Sequence, residues 1–388
     1  MFEREIGKLR GMGLFRQIAD RASLQGPHIV IGGRRLVNFA SNDYLGLAGN
    51  GALIAASQKA AAEYGAGGGA ARLLAGGTAL HEELEREAAV FMRAPAALLF
   101  NSGYHANMGA IPAMAGEGGA IFSDQLNHAS IIDGCRLSRA ETFVYRHADM
   151  SHLQKMLEAS KAGQKLIVTE SVFSMDGDIA PLATLYGLAR DYQAVLYVDE
   201  AHAIGVLGGG RGGLSHSGLP HQPGSGSPAV IRMGTFSKAL GSYGAFVAAD
   251  AGTIDWLKNT ARTFIFSTAL PPATAAASMA ALKLVDSPAG QALLAKLREN
   301  IERLSRGLAQ MGFCAGACSP GTPIIPVFFD TVEEALRASA GLHEAGFYAP
   351  AIRPPTVKRP RLRLQVSAAH SAEDIDGLLE ALAKINLP

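Results

Sequence analysis

Short apolar runs alternate with segments of helical periodicity through most of the chain. The runs that indicate strands are residues 97–100, 120–122, 142–145, 166–169, 195–198, 230–233 and 244–248. Alternating strands and helices are typical of an open, largely parallel sheet with helices on both faces, because parallel strands need long crossover connections. The pattern therefore predicts an α/β fold whose large domain contains a mostly parallel seven-stranded sheet.

The pattern changes after about residue 270. A long helix rich in Ala, Leu and Arg precedes a strand at 324–329, a helix around 332–345, a strand at 361–366 and a closing helix. This mixture predicts a small α+β carboxy-terminal domain. We expect an amino-terminal arm over residues 1–45, a large domain over 46–275 and a small domain over 276–388. Within the large domain, the Gly, Ser and Pro residues of 205–226 predict a flexible loop.

Composition and charge exclude several classes of protein. The chain has 388 residues, 48% of them hydrophobic, and a formal net charge of +1, which provides no basic surface for nucleic acid. Cys135, Cys314 and Cys318 fit neither a disulfide framework nor a four-ligand zinc site, so we expect no metal and a cytoplasmic location. The mixed charges of the first residues and the lack of a long uncharged apolar run predict neither a signal peptide nor a membrane span.

One lysine and one aspartate carry the main chemical signal. Lys238 lies in a Gly- and Ser-containing run, and Asp199 ends the strand at 195–198, at the distance that two βα units would require. A lysine amine can hold an aldehyde as an imine, and a buried carboxylate can keep a pyridine nitrogen protonated. The pair indicates a pyridoxal phosphate enzyme. Taken singly, Lys238 also fits a solvated surface lysine and Asp199 a helix cap.

The turn after the run at 97–100 offers a place for a phosphate. Gly103 and Tyr104 open a predicted helix, where backbone amides and the helix dipole both favour an anion. The same sequence also fits a tight βα turn with a core tyrosine. Thr235 and Ser237, on either side of Phe236, add hydroxyl groups that suit a phosphate.

Two histidines and a serine follow other predicted strands. His128 comes after the strand at 120–122, where an imidazole could lie on a pyridine ring and move protons near neutral pH. A helix-capping or buried structural histidine is the competing interpretation. His202 follows Asp199 closely enough to reach the phenolic oxygen of the same ring, and Ser174 could donate to a cofactor oxygen.

Three rival interpretations fail on their own requirements. The DEAH sequence at 199–202 also occurs in helicases, but the chain contains no phosphate-binding G-x-x-x-x-G-K-[ST] loop. The glycines of 65–69 follow no predicted strand, which argues against a dinucleotide site. The aspartates of 175–178 lack the remaining ligands of a calcium loop and indicate a turn.

Taken in order, these motifs resemble those of the α-oxoamine synthases, fold-type I pyridoxal 5'-phosphate enzymes. The resemblance extends from about Arg16 almost to the end of the chain. It rests on SNDYLGL at 41–47, NHAS at 127–130, FSMDGD at 173–178, DEAH at 199–202 and TFSK at 235–238. The family condenses an amino acid with an acyl thioester and releases carbon dioxide. The resemblance implies that fold, that cofactor and that class of reaction.

The resemblance also assigns roles to residues. Lys238 would bind the cofactor covalently, Asp199 would pair with its ring nitrogen and His128 would stack on the ring. His202 and Ser174 would contact its phenolic side. Gly103, Tyr104 and Thr235 would serve its phosphate. His128 would also contact the substrate and, with Lys238 and Asp199, form the catalytic set.

Three further residues match the family's substrate positions. Arg363 would hold the amino-acid carboxylate, which suits a planar guanidinium on a strand, and Arg16 and Thr356 would line the acyl site. The sequence AIRPPTV at 351–357 most resembles the branch that joins L-alanine to a pimeloyl thioester in biotin biosynthesis. The following segment, 358–360, is shorter and more basic than the family pattern, so the entrance for the acyl chain could differ.

Other functions remain open at this level. A sister synthase such as a glycine C-acetyltransferase shares every core residue, an aminotransferase shares the cofactor chemistry, and a non-catalytic scaffold shares the fold. Family members are dimers with active sites at the subunit boundary. The resemblance therefore implies a homodimer, with Thr268 in a position to reach the partner's phosphate.

Overall fold

The computed structural model describes residues 2–220, 227–313 and 321–385. Cys314, Cys318 and the end of the glycine-rich segment, 221–226, lie outside the described residues. The strands are β1 (His28–Ile31), β2 (Arg34–Asn38), β3 (Ala96–Phe100), β4 (Ala120–Asp124), β5 (Glu141–Tyr145), β6 (Lys165–Glu170), β7 (Val195–Asp199), β8 (Val230–Thr235), β9 (Ala245–Ala249), β10 (Ile324–Phe328), β11 (Phe347–Tyr348), β12 (Ala351–Ile352) and β13 (Arg361–Gln365).

The α-helices of the described residues separate most of these strands. They are α1 (Phe2–Gly11), α2 (Gly51–Tyr64), α3 (Ala79–Met92), α4 (Gly103–Met114), α5 (Ala129–Leu137), α6 (Met150–Ala159), α7 (Leu182–Asp191), α8 (Gly213–His216), α9 (Ala251–Thr260), α10 (Arg262–Ile265), α11 (Pro272–Val285), α12 (Pro288–Gln310), α13 (Val332–Glu344) and α14 (Ala372–Lys384). None is long and apolar enough to cross a membrane, within the part of the chain that the structure describes.

A seven-stranded sheet forms the centre of one compact unit, residues 50–174 and 179–294. Its strand order is β3-β9-β8-β7-β6-β4-β5, and only β9 runs antiparallel to its neighbours. The predicted mostly parallel sheet is confirmed, and each predicted run falls on one of its strands. Alternate residues enter opposite cores: Val168 and Tyr197 pack on one side, Ile167 and Val198 on the other. Strands that are buried on both faces appear in the sequence as continuous apolar runs.

The carboxyl ends of four strands bring polar residues to one edge of this sheet. Asp124 ends β4, Glu170 ends β6, Asp199 ends β7 and Thr235 ends β8. Glu170 and Asp199 are direct register partners. In open α/β sheets, ligands bind in the crevice outside the carboxyl ends of the strands, so this edge positions the candidate site.

The other compact unit comprises residues 1–49, 175–178 and 295–388. It contains two three-stranded sheets, with orders β1-β2-β11 and β10-β13-β12. This grouping differs from the predicted boundaries, which set residues 1–45 apart as an arm. β1 and β2 form a hairpin, and β2 pairs with β11 through Val37 and Phe347. Pairing between such distant residues leaves no local signal in the sequence.

The motif at 173–178 contributes a turn to this second unit. Asp176 accepts a hydrogen bond from Nη1 of the buried Arg361 at 2.6 Å, and Thr322 Oγ1 donates to the Gly177 carbonyl oxygen at 2.7 Å. Gly177 has a φ of +74°, and a Cβ there would lie 2.2 Å from the Ile324 carbonyl oxygen. The turn therefore requires glycine at this position.

The glycine-rich segment that was predicted to be a flexible loop contains ordered helical turns before residue 221. Gly213 and Leu214 of α8 are buried and donate their backbone N–H groups to Glu200. Glu200 also forms a buried ion pair with Arg232, Oε1 to Nε at 3.1 Å. Composition indicated turn-forming residues here, but it could not show that a buried carboxylate organises them.

A buried histidine makes the stability of the second unit dependent on pH. The His370 ring stacks on Phe39, accepts from the Ser367 backbone N–H at Nδ1 and contacts the Asn38 carbonyl oxygen through Nε2. Burial lowers the pKa of His370 to about 4, although the Asn38 hydrogen bond acts in the opposite direction. Because Nδ1 accepts a hydrogen bond, the ring is neutral with its proton on Nε2.

We expect stability to fall on acidification between the pKa of an unfolded histidine, about 6.5, and the lower pKa of His370. The unfolded chain binds more protons in this pH range. The free energy of unfolding therefore falls as the pH is lowered, by roughly 3 kcal/mol in total. Urea unfolding midpoints across this range should show the fall in wild type and a smaller one in His370→Gln. The exposed control His216→Gln should follow wild type, and equal slopes for both variants would contradict the assignment.

Candidate active site

A cavity of about 190 Å³ lies at the carboxyl ends of the central strands. It is lined by seven of the eight residues predicted to bind the cofactor: Gly103, Tyr104, His128, Asp199, His202, Thr235 and Lys238. The eighth, Ser174, is buried, and its backbone N–H favours the ionised form of Glu170, another lining residue. The structure therefore brings together, around one cavity, residues that are far apart in the sequence.

Asp199 is held in one orientation by neutral donors. Its Oδ2 accepts from Asn107 Nδ2 at 2.9 Å, and its Oδ1 accepts from the Ala201 backbone N–H at 2.9 Å. The Asn107 amide is itself fixed, because its Oδ1 accepts from the Tyr197 hydroxyl at 2.8 Å. Each carboxylate oxygen can accept more than one hydrogen bond, so this arrangement leaves Asp199 able to bind a further donor.

His128 belongs to the same hydrogen-bond network. Its Nδ1 contacts Ser130 Oγ at 2.7 Å and accepts from the Ser130 backbone N–H at 3.2 Å, so the side chain caps α5. Ser130 Oγ also accepts from Asn107 Nδ2 at 2.8 Å. Burial lowers the pKa of His128, with Asp199 acting in the opposite direction. The imidazole is therefore neutral at neutral pH and carries its proton on Nε2.

Capping and ring stacking are thus compatible roles for this histidine. The cap uses only Nδ1, and the faces of the ring remain a suitable surface for a planar heterocycle. The Tyr104 ring meets His128 edge-on, with centroids 6.3 Å apart, and its hydroxyl hydrogen-bonds to Asp133. Together these contacts fix the plane of the imidazole.

Lys238 is half-buried in the turn that follows β8. The turn is closed by a hydrogen bond from the Gly241 N–H to the Lys238 carbonyl oxygen at 2.8 Å. Thr235 Oγ1 donates to the Gly244 carbonyl oxygen at 2.8 Å and lies 2.7 Å from Ser237 Oγ. These contacts place an amine and two hydroxyl groups on a rigid turn at the cavity.

The amino terminus of α4 completes the cavity. Ser102 caps the helix by accepting from the His105 N–H at 3.2 Å, and Gly103 and Tyr104 form the first helical turn. Backbone amides of a first turn have no acceptor within the helix. The site thus combines an amine, a buried carboxylate, a planar imidazole and an anion-binding helix end. This donor set fits a phosphorylated pyridine aldehyde.

Three predicted substrate residues belong to the unit that contains β13. Arg363 on β13 is buried, and its Nη1 donates to Asn42 Oδ1 at 3.2 Å. Burial raises the pKa of Tyr44 to about 12, and the charge of Arg363 acts in the opposite direction. Arg16 Nη2 donates to Thr356 Oγ1 at 2.9 Å, so the two residues predicted to line the acyl site are in contact.

The residues that orient the cofactor-binding groups were not predicted from the sequence. Ser130 belongs to the NHAS motif, Asn107 lies in the helix predicted to open at Gly103, and Tyr197 lies on a predicted strand. Each of these residues also fits an ordinary helical or core position. The only sequence signal for a role of Asn107 is its position about one helical turn after Gly103. Its contacts with Asp199 and Ser130 depend on the packing of α4 against the sheet.

Comparison with known proteins identifies the family. A family model described as aminotransferase class I and II matches residues 34–382. The chain belongs to this family. A structure of serine palmitoyltransferase from S. paucimobilis, with bound PLP–myriocin aldimine, superposes with a TM-score of 0.91. It is 30% identical and covers 98% of this chain and 95% of its own.

Two curated members of the class I and II aminotransferase family are more similar in sequence. The 8-amino-7-oxononanoate synthase of Anaeromyxobacter dehalogenans is 47% identical over 385 residues, covering 98% of this chain and 94% of the relative. That of Methylococcus capsulatus is 48% identical over 381 residues, covering 97% and 95%. The predicted α-oxoamine synthase family, its fold type and its pyridoxal 5'-phosphate cofactor are confirmed.

Proposed function

We propose that the chain catalyses the decarboxylative condensation of L-alanine with pimeloyl-CoA, or with pimeloyl-carrier protein, to 8-amino-7-oxononanoate. The observation that carries this proposal is 43–48% identity, over nearly the full chain, to proteins of that name. The cavity contains the lysine, aspartate and histidine that the reaction needs. In this reaction the alanine Cα–C bond to the carboxylate breaks, the thioester C–S bond breaks, and a new C–C bond joins the two substrates.

Pyridoxal phosphate supplies an electron sink for negative charge that develops at the alanine Cα. Lys238 would hold the cofactor covalently, and its amine would serve as the general base for the alanine Cα proton. Asp199, held by Asn107 and Ala201, keeps a proton on the ring nitrogen. That charge pair stabilises the developing negative charge in the transition state.

His128 is suited to donate a hydrogen bond, since its neutral ring carries a proton on Nε2 while Nδ1 is bound to Ser130. We propose that His128 donates this hydrogen bond to the carbonyl or carboxylate of the acylated substrate. The resulting polarisation favours loss of carbon dioxide. Arg363 is assigned the alanine carboxylate. Arg16 and Thr356, which contact each other, are proposed to bind the acyl substrate.

The experiment that tests this function is an assay of thiol release with matched amino acids and thioesters. L-alanine with pimeloyl-CoA should release free thiol, whereas glycine or serine with pimeloyl-CoA, and alanine with acetyl-CoA, should release much less. Preference for glycine and acetyl-CoA would instead identify a glycine C-acetyltransferase, the alternative that shares the same core residues. Conversion of alanine to a keto acid without thiol release would identify an aminotransferase.

We also propose a cytoplasmic homodimer that forms through an apolar groove on the sheet-containing unit. The groove encloses about 850 Å³ and is lined by His105, Trp256 and Phe266 among others. Trp256 is 54% exposed and Phe266 72% exposed, so two large apolar side chains of the same groove are open to solvent. Tyr104, which lines the catalytic cavity, and His105, which lines the groove, are consecutive residues of α4, so both sites involve this helix. A second copy of the chain would cover both.

Phe266→Arg is expected to convert the dimer to monomer in sedimentation velocity experiments. The substitution sets a second cation beside Arg262, whose guanidinium lies 4.8 Å from the Phe266 ring, and burying two like charges is unfavourable. Val144→Arg is the matched control, because Val144 is exposed on the edge strand β5. A dimer that survives Phe266→Arg, or dissociates equally with Val144→Arg, would contradict this interface.

A further inference from the structure

Glu170, the last residue of β6, is a buried carboxyl group in the catalytic cavity to which the mechanism above assigns no role. It is 2% exposed and lines the cavity together with Lys238. Its register partner on β7 is Asp199. Among the described residues, no group hydrogen-bonds to Glu170 Oε1. An unpaired buried carboxylate oxygen is costly, whereas a protonated one becomes a donor for a bound group.

The surroundings of Glu170 favour its neutral form. Burial raises the pKa of Glu170 well above its ordinary value, and the negative charge of Asp199 raises it further. The charge of Lys238 and the backbone N–H groups of His128 and Ser174 act in the opposite direction, but burial is the largest effect. The His128 side chain, on the loop after β4, is neutral and contributes no balancing charge.

Asp199 differs from Glu170 in its hydrogen bonds. Both Asp199 oxygens accept from neutral donors, Asn107 Nδ2 and the Ala201 N–H. Two neighbouring carboxyl groups with such different surroundings divide one proton unequally, and we expect it to stay on Glu170, whose Oε1 has no hydrogen-bond donor among the described residues.

We propose that Glu170 is held as a neutral carboxylic acid whose hydroxyl donates a hydrogen bond within the catalytic cavity, so that the charge facing Lys238 comes from Asp199. Glu170 is then a positioning residue that acts through the lysine. If it ionised, a second negative charge near Lys238 would bind the ammonium proton more tightly, and less lysine would be available as a base. The proposal depends on the proposed function in one respect, namely that Lys238 acts as the base.

Infrared difference spectroscopy on the full-length, cofactor-loaded protein measures the protonation state directly. Subtracting the spectrum of Glu170→Gln from that of wild type at neutral pH should leave the carbonyl stretch of one protonated carboxylic acid. This band should disappear at alkaline pH. Glu117→Gln, the same change at an exposed glutamate, should leave no such band. A difference spectrum that shows only an ionised carboxylate at neutral pH would overturn the proposal.

Kinetics provide a second measurement, and Glu170→Met provides a second reference protein should the amide variant not fold. Because glutamine is neutral at every pH, turnover by Glu170→Gln should fall less steeply on the alkaline side than turnover by wild type. A loss on the order of 10²–10⁴-fold at all pH values would instead show that Glu170 acts as an ionised general base. The infrared result does not depend on the substrate, so it separates failure of this proposal from failure of the proposed function.

Discussion

Replacing Lys238 by alanine is expected to abolish turnover, with the largest effect of any single substitution in this site. The amine of Lys238 is assigned two tasks, covalent attachment of the cofactor and removal of the Cα proton. General base catalysis alone contributes on the order of 10²–10⁴-fold, and the covalent role adds to this. The turn that carries Lys238 is held by backbone hydrogen bonds, so removal of the side chain should leave the fold intact.

The variant is checked by thiol release and by mass spectrometry after borohydride reduction. Wild type should gain the mass of one reduced cofactor per chain, and Lys238→Ala should gain none. Lys258→Ala is the matched control, because Lys258 lies on α9, half-exposed and paired with Asp255. Near wild-type turnover by Lys238→Ala would refute the mechanism.

Asp199→Asn is expected to retain bound cofactor but to lose about three decades of turnover. A charge pair near 4 Å at an effective dielectric of about 20 is worth roughly 4 kcal/mol. That energy corresponds to about 10³ in rate if it is realised in the transition state. The asparagine side chain can keep one of the two hydrogen bonds that Asp199 accepts from Asn107 and Ala201, but it cannot hold the positive charge on the ring nitrogen.

The measurement compares turnover with cofactor content, determined by absorbance, in Asp199→Asn and in Asp191→Asn. Asp191 ends α7 and pairs with Arg190 at an exposed position, so its amide variant should match wild type. Full cofactor content with a large fall in turnover supports the role in charge stabilisation. Unchanged turnover in Asp199→Asn would remove Asp199 from the catalytic set.

The sheet and the position of the site were predictable because both leave local signals. Strands buried on both faces appear as unbroken apolar runs, and the polar residue that ends each run marks the carboxyl edge of the sheet. Asp199, Lys238 and His128 follow such runs. Their meeting at one cavity follows from the parallel arrangement of β4, β7 and β8.

The contacts that tune the site were not predictable, because they join residues through tertiary packing. Asn107 reaches Asp199 from α4, and Tyr197 reaches Asn107 from within β7. The buried state of Glu170 depends on its register with Asp199, and a shift of one residue would place it on the other face of the sheet. The pairing of β2 with β11, near the far end of the chain, was missed for the same reason.

The most direct test of the proposed reaction uses L-alanine labelled with ¹³C in its carboxyl group, together with pimeloyl-CoA. Labelled carbon dioxide, free thiol and unlabelled 8-amino-7-oxononanoate are expected to form in equal amounts, as detected by mass spectrometry. Retention of the label in an amino-acid or keto-acid product, or thiol release without labelled carbon dioxide, would contradict the proposed reaction.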